Sequence, residues 1–168
     1  TTVTYYYVRK AAGDVTVHHY EENSTTELAT TVVQPGANKL GLAYTTSEET
    51  ITNYELVAQP ANKNGTFTAA AQTVDYYYRR KNAGNITVKY LEVGSNAQLH
   101  ADKILDGTKK LGLPYSESAE NIENYDLDNT NLPTNDNGVY TTAPITITYY
   151  YKRNDAGNVV VNYLEQGT

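Results

Sequence analysis

The amino-acid sequence predicts a mostly β, α+β fold built from two tandem copies of one small unit. The first observation is composition, because 24 Thr, 17 Tyr and 17 Asn occur among 168 residues. Thr and Tyr favour strands, whereas Asn favours turns. The second observation is a tyrosine triplet that starts at Tyr5, Tyr76 and Tyr149. The third is internal similarity: residues 13–56 align with 84–127 without a gap, and 18 of these 44 positions are identical.

The repeat gives the domain boundaries that we expect, since self-similarity at a fixed period indicates one unit used more than once. Residues 11–80 form the first unit and residues 82–153 the second, which is two residues longer in the loop 129–137. Residues 1–10 match the last strand of a unit, and residues 156–168 match the first strand of a unit. We therefore expect further copies of the unit in the parent protein.

Within each unit the patterns predict the order β-β-(short α)-β-β-β. Apolar and polar residues alternate in 86–90, which is typical of a half-buried strand, and a polar turn and a second strand that ends at Gly36 or Gly107 follow. Segment 44–51 is rich in Ser, Thr and Glu with wider apolar spacing, which favours a short helix. In the first unit, three more strands are expected at 54–57, 66–68 and 73–79.

This order suits a β-grasp (ubiquitin-like) unit, a small α+β domain. The first and last strands of a β-grasp sheet are parallel, so the chain enters and leaves such a unit at opposite ends. Because only residues 81–83 connect the two units, we expect them to be arranged end to end as an elongated rod. A hairpin between 76–80 and 86–90 is the alternative.

Composition and charge exclude several classes of function. The formal net charge is −6, with a pI near 5.0, and this acidic balance argues against nucleic acid and anionic lipid as partners. No apolar run approaches the roughly 18 residues of a membrane helix, so we expect no membrane insertion. The absence of Cys excludes disulfides and thiolate chemistry, and it fits a bacterial surface protein.

The sequence predicts no enzyme activity, no catalytic residue, no metal site and no cofactor. Adjacent strand residues such as His18 and His19 point to opposite faces, so they cannot converge on one metal or one proton. The loop 126–137 of the second unit is rich in Asp and Asn, whose oxygens suit calcium. It lacks a late bidentate Glu, and Pro133 interrupts it, so a solvated loop is the preferred interpretation and calcium binding stays open.

The tyrosine triplets are the most informative feature for function. By the period of two, Tyr76 and Tyr78 share one face of their strand, as do Tyr149 and Tyr151, and we expect these four rings in the core. The middle tyrosines face outward among Thr, Asp, Lys and Arg, where a ring could stack on a sugar. The candidate glycan-binding residues are Tyr6, Tyr77 and Tyr150. The alternative is that these rings cover a neighbouring strand or repeat.

The motifs resemble the mucin-binding-protein (MucBP) repeat of Gram-positive cell-wall-anchored surface proteins. The resemblance rests on the strand motif 86–90, the Tyr-x-Leu at 54–56, the Pro-x-Asn-x-x-Gly-x-Phe at 60–67 and the Gln-Thr-Val-x-Tyr-x-Tyr at 72–78. Their order and repetition cover nearly the whole chain. One departure is Asn53, which with its counterpart Asn124 stands where the family pattern has Gly.

The resemblance implies an extracellular location at the bacterial surface and three hypotheses for function. The first is the repeat region of an adhesin that binds mucin or another host glycoprotein weakly at each unit and multivalently along the chain. The second is a passive, rigid stalk that displays a distal adhesion domain. The third is a repeat region appended to an extracellular enzyme. Head-to-tail contacts through the terminal strands are a further expectation, because an unpaired strand seeks a sheet edge.

Overall fold

The computed structural model describes residues 1–167, which contain twelve strands and no helix, and hence no helix long and apolar enough to cross a membrane. The chain divides into two compact units. Unit 1 comprises Thr1–Ala83 with Thr108–Gly112, and unit 2 comprises Gly84–Gly107 with the residues from Leu113 onward. The strands of unit 1 are β1 (Val15–Glu21), β2 (Val32–Gln34), β3 (Ala43–Thr45), β4 (Tyr54–Ala58), β5 (Asn64–Thr66) and β6 (Gln72–Arg80). The strands of unit 2 are β7 (Ile86–Glu92), β8 (Lys103–Leu105), β9 (Pro114–Ser116), β10 (Tyr125–Leu127), β11 (Asn137–Val139) and β12 (Ile145–Arg153).

A four-stranded mixed sheet with the order β2-β1-β6-β4 forms the centre of unit 1. Its two inner strands, β1 and β6, are parallel, with Val15 opposite Gln72 and Tyr20 opposite Tyr77. The edge strands β2 and β4 are antiparallel to them, and β3 pairs with β5 in a separate two-stranded sheet. The tyrosine strand β6 therefore lies inside the sheet, with a paired strand on each side.

Unit 2 has the same arrangement. Its sheet has the order β8-β7-β12-β10, and the inner strands β7 and β12 are parallel, with Ile86 opposite Ile145. A separate pair is formed by β9 and β11. The tyrosine strands β6 and β12 are nine residues long and occupy equivalent places. The repeated sequence thus produces a repeated sheet.

Tyrosine rings fill the core of unit 1 in the predicted alternation. Tyr76 and Tyr78 are buried, whereas Tyr77 between them is exposed. The hydroxyl of Tyr76 lies 2.9 Å from Thr46 Oγ1, and the hydroxyl of Tyr78 accepts a hydrogen bond from the N–H of Glu49 at 2.9 Å. The rings are buried and their hydroxyls are satisfied by polar groups, as a buried tyrosine requires.

The core of unit 2 uses the same positions but leaves two hydroxyls unsatisfied. Tyr149 and Tyr151 are buried as predicted, with ring centroids 6.2 Å and 6.4 Å from that of Tyr90 on β7. The hydroxyl of Tyr151 donates to the Glu120 carbonyl at 2.8 Å. The hydroxyls of Tyr90 and Tyr149 have no hydrogen-bond partner among the described residues. Burial disfavours the phenolate and raises the pKa of Tyr149 to about 12.

The short helix predicted at residues 44–51 is wrong. Strand β3 covers the start of this segment, and irregular backbone follows it. The N–H of Thr46 donates to the Lys63 carbonyl at 2.8 Å, and the N–H of Glu49 donates to the Tyr78 hydroxyl. In a helix over 44–51 the N–H of Glu49 would instead donate to the Thr45 carbonyl. Contacts with the core therefore outweigh the local pattern, and the described residues contain no α component.

Residues 1–10 and 156–167, predicted to be strands of flanking copies, form no strand within this chain. At the end of the first segment the Arg9 guanidinium donates to the Leu40 carbonyl at 3.0 Å, so this segment contacts a loop of unit 1 and joins no sheet. A strand is held by hydrogen bonds to a neighbouring strand. Strand formation by these segments stays a prediction, and Thr168, the last residue of the second one, lies outside the described residues.

A histidine occupies a core position of unit 1 that is a tyrosine in unit 2. His19 is 1% exposed, stacks on Tyr76 with centroids 5.3 Å apart, and has its Nδ1 3.0 Å from the Tyr78 hydroxyl. Burial lowers the pKa of His19 below its ordinary value of 6.5, although the carboxylates of Glu49 and Glu27 act in the opposite direction. The neutral imidazole is therefore the form that the folded core favours.

We expect unit 1 to lose stability at a higher pH than unit 2. Folding lowers the pKa of His19, so its neutral imidazole adds to the free energy of unfolding of unit 1. This contribution is fully present above the unfolded pKa near 6.5 and is lost as the pH falls below that value. In unit 2 the pKa of Asp128 is lowered from 3.8 to about 2. The stability that the Asp128 carboxylate adds to unit 2 is therefore lost only below pH 3.8. Denaturant unfolding at pH 7.5 and 5.0, with amide exchange of β6 and β12 read separately, checks this expectation. His19→Tyr, which installs the residue of unit 2, should remove the loss between these pH values, and an unchanged loss would contradict the assignment to His19.

Candidate functional site

Tyr77 lies on the outer face of the unit 1 sheet, as predicted. Its side chain is 42% exposed, and Asp75 and Arg79 share its face of β6. Arg79 Nε forms an ion pair with Glu55 of β4 at 2.7 Å, which connects the two strands on this surface. The ring therefore stands among polar groups, with one side open to solvent.

An aromatic row runs from β1 to Tyr77. The rings of His18 and Tyr20 stack with centroids 5.2 Å apart and an angle of 13°, and the Tyr20 centroid lies 6.0 Å from that of Tyr77. His18 Nδ1 lies 2.5 Å from a carboxylate oxygen of Glu27, which orients the first ring of the row. Aromatic contacts at these distances are favourable. The outer face of unit 1 thus presents three ordered rings on adjacent strands.

Two grooves flank the ring of Tyr77. The larger, of about 820 Å³, is lined by Glu22, Asn23, Ser24, Thr25, Val57 and Tyr77. The smaller, of about 340 Å³, is lined by Val57, Ala58, Gln59, Pro60, Asn62, Thr73, Asp75 and Tyr77. Val57 and Tyr77 belong to both, so they form the ridge between the grooves. Asn62 Nδ2 donates to the Thr73 carbonyl at 2.8 Å and holds the loop of the smaller groove against β6.

Unit 2 has a counterpart of the smaller groove. A groove of about 300 Å³ beside Tyr150 is lined by Asn131, Leu132, Pro133, Thr134, Asn135, Thr146, Thr148 and Tyr150. Asn135 Nδ2 donates to the Thr146 carbonyl at 2.9 Å, the same contact that Asn62 makes with Thr73. Tyr150 is only partly exposed, and Lys89 and Leu91 occupy the β7 positions of His18 and Tyr20. The ring and its groove therefore recur, while the aromatic row is a feature of unit 1.

Tyr6 is in a different setting from the other two candidate residues. Its side chain is 92% exposed, and residues 1–10 belong to no sheet. The structure thus places Tyr77 and Tyr150 in equivalent grooves, and it does not place Tyr6 in one.

A comparison with models of protein families shows to which family the chain belongs. The model described as the MucBP domain matches residues 14–79 and 85–152. The chain belongs to the MucBP domain family. Each of the two MucBP matches includes one four-stranded sheet, one two-stranded sheet and one outward tyrosine, Tyr77 or Tyr150. The resemblance inferred from the motifs is confirmed.

Two curated relatives share both MucBP units. Internalin J of Listeria monocytogenes serotype 4b (strain F2365) is 35% identical over 171 residues, and internalin J of serovar 1/2a (strain ATCC BAA-679 / EGD-e) is 33% identical over 171 residues. Each alignment covers 98% of this chain but only 18% or 19% of the relative, so the chain spans about a fifth of the length of these proteins. A solved structure, the Streptococcal High Identity Repeats in Tandem (SHIRT) domains 3-4 from a cell surface protein, is 10% identical, with a TM-score of 0.40 over 86% of this chain and 99% of that chain.

The MucBP pattern has Gly before its central Tyr-x-Leu motif, and the structure explains why Asn serves here. Asn53 and Asn124 have φ values of 65° and 64°, in the left-handed region. Gly enters this region freely, and Asn tolerates it better than most other residues. The departure from the family pattern therefore preserves the turn that leads into β4 and β10.

The acidic loop of the second MucBP unit is held by protein groups. Asp128 is 6% exposed, accepts hydrogen bonds from Lys152 Nζ at 2.8 Å and from the Thr130 hydroxyl at 2.6 Å, and these bonds lower its pKa to about 2. Asp128 is the exception in a loop whose other residues, within 126–137, are exposed or partly exposed, as a solvated loop requires. Among residues 1–167, no group of three or more His, Cys, Asp or Glu side chains is placed to hold a metal ion.

Sequence reasoning missed two contributors to the MucBP surface, Tyr20 and Val57. The alternation of side chains along β1 places Tyr20 on the outer face, but its contact with Tyr77 depends on the parallel register of β1 and β6. Val57 lies at an irregularity in the pairing of β4 with β6, where the register shifts between Leu56 and Ala58. A bulge of this kind redirects a side chain, and no residue pattern in the sequence indicates it.

Proposed function

We propose that these MucBP units are the repeat region of a bacterial cell-surface adhesin that binds mucin or another host glycoprotein. Tyr77 and Tyr150 contact the glycan from the outer faces of their sheets, and Tyr6 adds a third exposed ring. Binding is weak at each unit and is strengthened by repetition along the chain, because linked sites raise avidity without a new contact. The proposal includes no enzyme activity.

The observation that carries the proposal is the recurrence of an outward tyrosine beside a groove. Tyr77 and Tyr150 lie at equivalent places on β6 and β12, and each borders a loop held by an Asn side chain. A flat ring with neighbouring hydroxyl and amide groups suits a sugar, which has an apolar face and a rim of hydroxyls. Family membership supports mucin as the source of that sugar.

The location and shape that we propose follow the same reasoning. The protein is extracellular, at the cell wall of a Gram-positive bacterium, as the family and the internalin J relatives support. The units have boundaries at 11–80 and 82–153, and they are β-grasp-like domains arranged end to end as a rod. Residues 1–10 and 156–168 are strands of neighbouring repeats, and they permit head-to-tail contacts. The order β2-β1-β6-β4, with its parallel inner pair, supports the β-grasp assignment.

A passive stalk is the second candidate function. It is favoured by the identical order of strands in the two units and by the short connection between them. In that case the outer tyrosines contribute packing only, and the adhesive group lies elsewhere in the parent protein.

Tyr77→Ala and Tyr150→Ala should each weaken retention on immobilised mucin by about fivefold, since an exposed aromatic contact contributes on the order of 1 kcal/mol. The double variant should lose more than either single variant, because two linked sites act together. Retention of each variant on a mucin column, beside circular dichroism to verify folding, measures this effect.

Tyr163→Ala is the matched control, because this ring is 93% exposed, belongs to no sheet and, unlike Tyr6, is not part of a tyrosine triplet. It should leave retention unchanged, and Tyr6→Ala should produce a smaller loss than Tyr77→Ala. If the folded double variant is retained like the parent chain, the outer tyrosines are not the site, and absence of retention by the parent chain would favour the stalk.

A further inference from the structure

The larger groove of unit 1 combines an apolar wall with a polar wall. Tyr77 and Val57 form the apolar side, and the turn of residues 22–25 forms the other side. This turn supplies a carboxylate, an amide and two hydroxyls, and Asn23 has a φ of 59°, which makes the turn tight. Its volume is about 820 Å³, and it is a wide groove that is open to solvent.

The charge of the two grooves beside Tyr77 is negative. Glu22 lines the larger groove and Asp75 the smaller one, and no Lys, Arg or His is among the lining residues of either. Lys109 Nζ lies 3.7 Å from the Glu22 carboxylate without lining the groove. The formal net charge of the chain, −6, has the same sign. Lys109 is paired with Glu22, and neither groove has a cation among its lining residues, so an anionic sugar such as a sialylated or sulfated residue would find no unpaired cation here.

We infer that the groove between Tyr77 and the turn of residues 22–25 receives a neutral sugar residue, stacked on the Tyr77 ring with its hydroxyls directed to the turn. This inference rests on the proposed function and adds the class of sugar. The Glu22 carboxylate can accept hydrogen bonds from the hydroxyls of a neutral sugar, and it offers no favourable contact to an anionic group.

The corresponding surface of unit 2 differs in the residues that matter. Val93 occupies the position that Glu22 has in the turn of unit 1. Asp128, which follows Leu127, occupies the position of Val57, which follows Leu56. Asp128 is paired with Lys152 at 2.8 Å, and the Lys152 side chain is 56% exposed. The neutral-sugar groove is therefore a property of unit 1, and unit 2 offers a ring beside an exposed cation.

The test uses the full 168-residue chain with Tyr150→Ala, which removes the unit 2 ring that lies beside the Lys152 cation, and compares its retention on mucin before and after enzymatic removal of terminal sialic acid. We expect retention on the treated mucin to equal or exceed that on native mucin, and to change little when salt is raised, because a neutral ligand does not depend on screened charge. Glu22→Lys should shift the preference toward sialylated mucin by about fivefold, since it removes the carboxylate and places an unpaired cation in the groove. Val93→Lys, the same charge at the equivalent turn of unit 2, should leave the unit 1 preference unchanged.

Loss of retention after sialic acid removal, or a steep fall of retention with salt, would overturn the inference of a neutral sugar and leave the proposed function intact. Absence of retention by the parent chain on both mucins would overturn the proposed function itself. The salt series does not need the Glu22→Lys variant, so it decides the question even if that variant fails to fold.

Discussion

Tyr76→Ala should destabilise unit 1 by about 3–5 kcal/mol, the range for removal of a large buried aromatic side chain. The ring is 0% exposed, stacks on His19, and its hydroxyl lies 2.9 Å from Thr46 Oγ1. Removal leaves a cavity in a thin core and leaves the Thr46 hydroxyl without this contact. Amide hydrogen exchange and denaturant unfolding measure the loss, which should appear in β6 and its neighbours and leave β12 protected.

Two variants calibrate this expectation. Tyr76→Phe keeps the ring and removes the hydroxyl contact, so it should cost about 1 kcal/mol. Tyr77→Ala changes the adjacent residue on the opposite face of the same strand, and a large loss is not expected because that ring is 42% exposed. Equal losses for Tyr76→Ala and Tyr77→Ala would contradict the assignment of the inner and outer faces of β6.

Gly84→Ala should destabilise unit 2 by roughly 2–3 kcal/mol or more, the cost of forcing extra atoms into a packed site. A Cβ at this position would overlap the backbone of Ala143 and Pro144, and backbone gives way less easily than a side chain. The N–H of Gly84 also donates to the Thr141 carbonyl at 2.8 Å, which holds the two segments together. Thermal unfolding of the variant measures the effect.

Gly157→Ala is the matched control for the glycine prediction. Gly157 follows Ala in a copy of the same turn motif, but nothing lies within 4 Å of the position that its Cβ would take. This change should leave the stability of both units unaffected. If Gly84→Ala proved equally harmless, the close approach of the turn to residues 143–144 would not be required for the fold.

The sequence predicted those features of the fold that depend on local alternation. Tyr76 and Tyr78 are buried and Tyr77 is outward because a strand has a period of two whatever its neighbours are. The repeat was detectable because the tyrosine triplets and the turn residues recur at a nearly constant offset, although a core position such as that of His19 holds Tyr90 in the second unit. The same alternation of side chains identified the outward tyrosines as candidate site residues.

Features that depend on tertiary contacts could not be predicted. The helix expected at 44–51 does not form because Thr46 and Glu49 bond to Lys63 and Tyr78, which are distant in sequence. The grooves beside Tyr77 depend on how strands pair, since a bulge in β4 brings Val57 to the ridge. Periodicity reports which face a residue occupies, and it does not report which residues lie beside it.

The most direct test of the central claim is a nuclear magnetic resonance titration of the chain with a mucin-derived glycopeptide. The claim is that the outer faces of β6 and β12, with Tyr77 and Tyr150, contact the glycan. The expected result is that the largest chemical-shift changes occur at these two tyrosines and at the residues that line their grooves, while the buried Tyr76 and Tyr149 change little. Changes confined to other surfaces, or no change at any ligand concentration, would contradict the claim.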